Sequence, residues 1–353
     1  MKIDLIGTHG SPLKVIPLDI EQRGVGGSEL AMMTLMQTFS ERGHSVRVYN
    51  NPRAPGTYNG VEYHHHRDFR APEPRDAVIL FRAPNPMVDH RTSGLKIWWS
   101  CDQWTIGDYP ALGRLVDRIV CISPHHRQYF LDTYHIDAAK ITVLDLGVRL
   151  QEYVNPPERV RNRMIYCSMP DRGLEFLLPA YQVIRQTVPD ATLSITADYR
   201  MWDAPANNER HRLAWAGQPG VTFYGLVPRS QLVRLQMEAE LQPYPCVYDE
   251  LFCISVAECQ VAGAMPVTTE AGALPTTNTS GIIIPGVPGA PKHPGNTDYI
   301  TAFASRVAGL LSTDRQYMDA SRAKMMETAR RRFDWNVIAA QWEDMISNGK
   351  ANP

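Results

Sequence analysis

Two doubly wound α/β domains joined by a linker are the fold class this sequence predicts, and three observations predict it. At 353 residues the chain is long for one core and fits two ordinary domains. Its first part alternates short apolar strands with amphipathic helices, the rhythm of parallel sheets whose ligands bind at the carboxyl ends of strands. The rhythm restarts after a polar, proline-containing stretch, Gln151–Arg163, which reads as the linker. Two similar halves of this kind place a ligand cleft between them.

The elements follow from local pattern. Short β-branched apolar runs predict strands at Lys2–Ile6, Ser45–Tyr49, Ala77–Phe81, Lys96–Trp99, Arg118–Ile122 and Ile141–Leu144. Helices are predicted over Ser28–Arg42, stopped by Gly43, and over His125–Tyr134. After the linker, strands are predicted at Met164–Cys167, Thr192–Thr196, Val221–Tyr224, Leu241–Tyr244 and Met265–Thr268. Helices alternate with them at Gly173–Thr187 and Ser230–Glu238, and a loop rich in Gly, Pro and Thr runs to Thr297. Two more helices, Asp298–Leu311 and Arg315–Arg332, precede a tail at Phe333–Asn348.

Composition excludes several classes of protein. A net charge of −1 favours neither nucleic acid nor an anionic membrane as partner. No apolar run approaches the ~20 residues that span a bilayer. The N-terminus lacks the apolar core of a signal peptide. Six cysteines without C-x-x-C spacing read as buried thiols in a reducing compartment, so a cytoplasmic location is expected. Peripheral membrane association is left open.

The most informative stretch runs from Asp249 through Glu250, Leu251, Phe252, Cys253 and Ile254 to Glu258, closed by Gly263 and Pro266. Eight residues at ~100° each leave the two glutamates about 80° apart on a helix, so they cannot share one face. Glu250 therefore belongs to the loop before a buried helix and Glu258 about a turn inside it. A helix start with free amides attracts phosphate, and carboxylates beside it suit sugar hydroxyls. Gly26 and Gly27 open the Ser28 helix and let backbone amides approach a ligand. Arg172, at a strand-to-helix junction beside Ser168, offers a planar fork to a diphosphate. Asp102 follows Trp98 and Trp99 at another strand tip, a polar group among aromatics. His64-His65-His66 reads as a solvated turn rather than a metal tract. No Asp-x-Asp occurs, so no metal site is expected.

Together these segments resemble glycosyltransferase family four, retaining enzymes of the GT-B fold, over nearly the whole chain. The resemblance is carried by the E-x7-E pair Glu250 and Glu258 followed by Ala262-Gly263, and by Gly26-Gly27-Ser28-Glu29. Asp171-Arg172-Gly173, Phe223-Tyr224-Gly225 and Phe333-Asp334-Trp335 add to it. It departs where Cys101 precedes Asp102 in place of a histidine, and where Ser168 or Met169 stands in place of an arginine. The resemblance implies GT-B architecture, two Rossmann-like domains facing across a cleft. Residues 1–155 with the tail 334–353 would form the acceptor domain, and 156–333 the donor domain. It implies metal-independent transfer of a hexose-type sugar, with retention, from a nucleotide-diphosphate sugar to a hydroxyl acceptor on a glycan, lipid or small molecule. The donor is a substrate, and no resident cofactor is expected.

In that reading Arg172, Glu250 and Asp102 carry the chemistry. Gly26, Gly27, Ser168, Gly225, Leu251, Phe252, Cys253, Ile254 and Glu258 bind the donor, with Glu258 at the ribose and Glu250 at the sugar. Other readings stay open on sequence alone: a sugar phosphorylase or nucleotide-sugar epimerase, a transferase acting on modified nucleic-acid bases, or a degenerate nucleotide-sugar-binding protein.

Overall fold

The computed structural model describes residues 1–7, 14–196, 198–202, 207–208, 214–215, 217–285 and 297–349. The chain divides into two compact units, Met1–Ile20 with Val25–Gly147 and Phe333–Pro353, and Glu21–Gly24 with Val148–Arg332. Each is an α/β, Rossmann-like domain built on a parallel sheet.

The first unit holds β1 (Lys2–Gly7), β2 (Ser45–Asn50), β3 (Gly56–Tyr58), β4 (Val61–His65), β5 (Ala77–Phe81), β6 (Leu95–Trp99), β7 (Arg118–Cys121) and β8 (Ile141–Val143). Their order is β3-β4-β2-β1-β5-β6-β7-β8. All pairs are parallel except β3 with β4. Every residue of β5 is buried, the signature of a strand covered on both faces. The helix Gly27–Glu41 packs Leu30, Met32, Met33, Leu35 and Met36 inward.

Two elements differ from the sequence reading. His64 and His65 end β4 rather than forming a turn, and the His64 ring stacks on Tyr49 with centroids 5.3 Å apart. The hairpin β3–β4 turns on Asn59-Gly60, both at positive φ (51° and 78°), a two-residue turn that suits the twist of paired strands. The tail after Phe333 is largely a helix, Trp335–Gly349. Its Trp342 packs edge-on against Phe39 and Trp99, at 6.4 and 5.3 Å between centroids.

The second unit holds β9 (Arg163–Tyr166), β10 (Thr192–Ile195), β11 (Val221–Phe223), β12 (Leu241–Tyr244), β13 (Met265–Thr268) and β14 (Ile282–Ile283). They are all parallel, in the order β11-β10-β9-β12-β13-β14. Leu174, Leu177, Tyr181 and Ile184 of the helix Leu174–Thr187 share a core with Phe303 and Val307 of the helix Thr297–Leu311. In both sheets the connection reverses direction beside the first strand, between β1 and β5 and between β9 and β12. A doubly wound sheet opens its ligand crevice at that reversal. Among the described residues no helix is long and apolar enough to cross a membrane.

Candidate functional site

In the second unit the reversal lies where β9 and β12 end, at Tyr166 and Tyr244. Glu250 stands on the loop leaving β12. The Tyr244 hydroxyl donates to Glu250 Oε1 at 2.6 Å and lies 3.1 Å from Ser168 Oγ, beyond β9. The segment 249–250 is pinned from behind: Ala273 N donates to Glu250 O at 2.6 Å. Gly272 sits at φ 57°, where a Cβ would collide with the Glu250 backbone.

Arg172 ends a 3-10 turn, Pro170–Arg172, after β9. The following Gly173, at φ 127°, lets this turn approach the carbonyl of Pro245. The guanidinium lies over the Tyr248 ring, 3.3 Å from its centroid, and 3.9 Å from Asp171. Burial raises the pKa of Glu250, while the Tyr244 hydrogen bond and the Arg172 charge oppose the rise. Burial works against the Arg172 charge too, but Glu250 and Asp171 outweigh it and raise its pKa. One carboxylate and one guanidinium thus each favour the other's charged form beside the crevice.

The motif helix is Ile254–Ala262, entered through Cys253 in the left-handed region at φ 71°. Leu251 and Phe252 bury their side chains, leaving only their backbone to face a ligand. The amides at the helix start have no partner inside the helix, and Ser255 is braced by Gln242 at 3.3 Å.

Glu258 occupies a different environment from Glu250. Its carboxylate is buried, 2.8 Å from Arg229 Nη1, and accepts from Gln236 Nε2 at 3.1 Å. Arg229 donates in turn to Glu152 Oε2 at 2.7 Å and to the Tyr153 hydroxyl at 3.1 Å. Tyr153 closes the ring by donating to Gln236 Oε1 at 2.7 Å. Gly225 sits on a further loop, at φ 67°, where a Cβ would press on Asp198 Oδ2 at 2.8 Å. Burial alone would raise the pKa of Asp198. Hydrogen bonds from Arg200, Leu226 and Asn208 hold it below the usual range and fix that loop.

In the first unit the crevice lies where β1 and β5 end. Arg82, directly after β5, adopts φ 70°, a costly conformation for a residue that carries a Cβ and one that clusters at functional sites. Its fork donates to Asp102 through Nε and Nη2 at 2.6 and 2.8 Å, and to Glu29 Oε1 through Nη1 at 2.9 Å. Asp102, placed beyond β6, is therefore oriented by a bidentate ion pair. Gly26 caps the helix Gly27–Glu41 without a side chain, and a Cβ there would strike Glu29. Burial, with Asp102 adding to it, pushes the Cys101 thiol well up, so it is no thiolate nucleophile. His126, wholly buried, is kept neutral as burial lowers its pKa to about 3.

The structure brings Ser168, Arg172 and Glu250 together, and sets Glu258 in an enclosed network beside them. Arg82, Arg229 and Tyr244 escaped the sequence reading. Arg82 had a signal: a basic residue stands directly after the apolar run Ala77–Phe81, at the carboxyl end of a predicted strand. Among the described residues, no group of three His, Cys, Asp or Glu is arranged to hold a metal ion.

No protein-family model and no curated protein sequence matches the chain. Solved structures do. A glycosyltransferase from Rickettsia africae aligns over 100% of this chain and 99% of its own, with TM-score 0.73 and 14% identity. Sucrose-phosphate synthase from Thermosynechococcus elongatus aligns over 100% of both chains, with TM-score 0.71 and 14% identity. Anabaena HepE, solved with UDP and glucose, aligns over 99% of this chain and 100% of its own, with TM-score 0.68 and 15% identity. The fold is therefore that of GT-B glycosyltransferase structures, two Rossmann-like domains in one chain.

Proposed function

We propose that the protein transfers a hexose-type sugar from a nucleotide-diphosphate donor to a hydroxyl acceptor, with retention and without an obligatory metal. The observation that carries this reading is Glu250, hydrogen-bonded by Tyr244 beside Arg172 and the start of the helix Ile254–Ala262. A carboxylate for sugar hydroxyls, a fixed guanidinium and helix-start amides suit a sugar diphosphate. Structures of the same fold carry UDP and glucose in HepE, and ADP with acarbose in a starch synthase from Arabidopsis thaliana.

In this reading the donor diphosphate lies against Arg172 and the amides of Phe252, Cys253 and Ile254, while Glu250 accepts from the sugar hydroxyls. Leaving-group charge develops beside Arg172, where an aimed positive group contributes a few kcal/mol to the transition state, on the order of 3. Attack from the departing face, with the leaving phosphate taking the acceptor's proton, accounts for retention. Glu258 braces the wall of the nucleoside pocket through Arg229. Asp102, oriented by Arg82, serves the acceptor side.

A thermal-shift screen against UDP-glucose, ADP-glucose and GDP-mannose tests donor binding. A ligand at about a hundred times its Kd adds roughly 2.7 kcal/mol to stability. With the matching donor, Glu250→Ala and Arg172→Ala are expected to abolish transfer while the protein stays folded, and EDTA to leave wild-type transfer intact. Wild-type turnover in both variants sinks the assignment. A donor that shifts the melt but is never consumed favours a degenerate sugar-nucleotide binder.

A further inference from the structure

The loop after β6 presents an aromatic side chain that the donor chemistry does not use. Trp104 is 58% exposed and Ile106 is 40% exposed, although both lie between tightly anchored residues. The Tyr134 hydroxyl donates to Gln103 O at 2.6 Å. The Tyr109 hydroxyl accepts from Thr105 N at 3.0 Å and donates to Arg82 O at 3.2 Å. Gly107, at φ 94°, folds the loop back onto Pro84. Alternate residues are thus tied to the helices Tyr109–Leu115 and Pro124–Tyr134, which turns Trp104 and Ile106 outward by construction. The indole N–H is satisfied inside the loop by Gly107 O at 3.3 Å, so what Trp104 offers is a held ring face.

A held, exposed indole two residues from an oriented carboxylate calls for a ligand with one apolar face and several hydroxyls. Cys101–Ala111 carries Asp102 and Asp108 and no lysine or arginine, which disfavours an anionic lipid surface or a phosphorylated ligand. We propose that Trp104 is the stacking platform of a neutral carbohydrate acceptor, taking the apolar face of a pyranose while Asp102 accepts from its hydroxyls. This rests on the glycosyl-transfer reading above and narrows its acceptor to a sugar.

The test uses saturation-transfer NMR on the full chain without donor, against maltose, cellobiose, lactose and methyl α-mannoside. Wild-type protein is expected to saturate the ring protons of at least one of them. Trp104→Ala is expected to weaken that binding roughly fivefold and Trp104→Phe to restore most of it, the scale of one aromatic contact. Melting curves of both variants check folding. The proposal is overturned if none of the four sugars binds or if Trp104→Ala binds as wild type does. It is also overturned if wild type instead cosediments, through Trp104, with phosphatidylcholine vesicles carrying phosphatidylglycerol. Donor thermal shifts on the same preparation separate the two readings. A donor shift without sugar binding removes the platform alone, whereas sugar binding without any donor shift or turnover removes the transferase and leaves the platform.

Discussion

Arg229 Nη1 lies 2.8 Å from Glu258 Oε1, and both side chains are almost wholly buried. The cation is shared, since Arg229 also donates to Glu152, so two carboxylates lean on one guanidinium inside the second unit. The two glutamates eight residues apart therefore do different work. Glu250 stands at the mouth, where burial strains its charge. Glu258 stands in the wall, where its charge is already matched.

Removing the cation exposes that dependence. In Arg229→Met the Glu258 carboxylate keeps only the Gln236 hydrogen bond, in a site almost wholly buried from solvent. Breaking a buried pair from one side costs about 3–5 kcal/mol. Urea unfolding is expected to show a loss of that order, partly recovered in Arg229→Met/Glu258→Gln. An unchanged midpoint in the single variant would mean the pair contributes nothing to folding.

Glu250 makes an opposite, pH-dependent prediction. Its folded pKa is raised above the ordinary 4.5, so the folded state disfavours the ionised form. The stability tied to the protonated group is complete below the ordinary value and is lost as pH rises through the folded value. Glu250→Gln, which cannot ionise and still accepts from Tyr244, is expected to melt above wild type at neutral pH. The gap should close as pH falls below 4.5, because the wild-type carboxyl is then protonated in both states. A variant that melts below wild type at neutral pH would show that the carboxylate is not strained.

Glu343 carries the reverse sign in the first unit. Hydrogen bonds from Arg42, then His44, outweigh burial and lower its pKa to about 2. Its stabilisation is present above the ordinary 4.5 and fades as pH falls through about 2. Glu343→Gln is expected to loosen the helix Trp335–Gly349 and lower the melting temperature at neutral pH, with the difference shrinking in acid. Equal melting at neutral pH would show that this ion pair is only a surface contact.

What was legible in the sequence is what local pattern encodes. Both parallel sheets show as apolar runs, and Glu250 and Arg172 stand next to strand ends. The helix Trp335–Gly349 was missed and read as a tail, although Trp335, Ile338, Ala339, Trp342, Met345 and Ile346 recur at helical spacing, and the hairpin was missed although Asn59-Gly60 marks its turn. Illegible were the partners. Arg82 reaches Asp102 and Glu29, and Arg229 reaches Glu152 and Glu258, across distances along the chain that only sheet order sets. A motif shows that a carboxylate is there, but not whether a guanidinium has already claimed it.

Gly272 tests how closely Glu250 must be held. At φ 57° an alanine suffers the left-handed penalty, about 1–2 kcal/mol, and its Cβ also meets the Glu250 backbone, which cannot rotate away. Gly43, at φ 88°, has open space where a Cβ would go, so Gly43→Ala carries the conformational penalty without the collision. Both variants are expected to melt below wild type, but only Gly272→Ala should displace the Glu250 carboxylate, which the proposed function sets against the donor sugar. The donor's thermal shift is therefore expected to survive in Gly43→Ala and to weaken in Gly272→Ala, by about tenfold in Kd or 1.4 kcal/mol. If both variants keep the full shift, the backbone at 250 tolerates movement and Glu250 does not grip the donor. If both lose it equally, general destabilisation accounts for the loss, and the contact between Gly272 and Glu250 has no special part in binding.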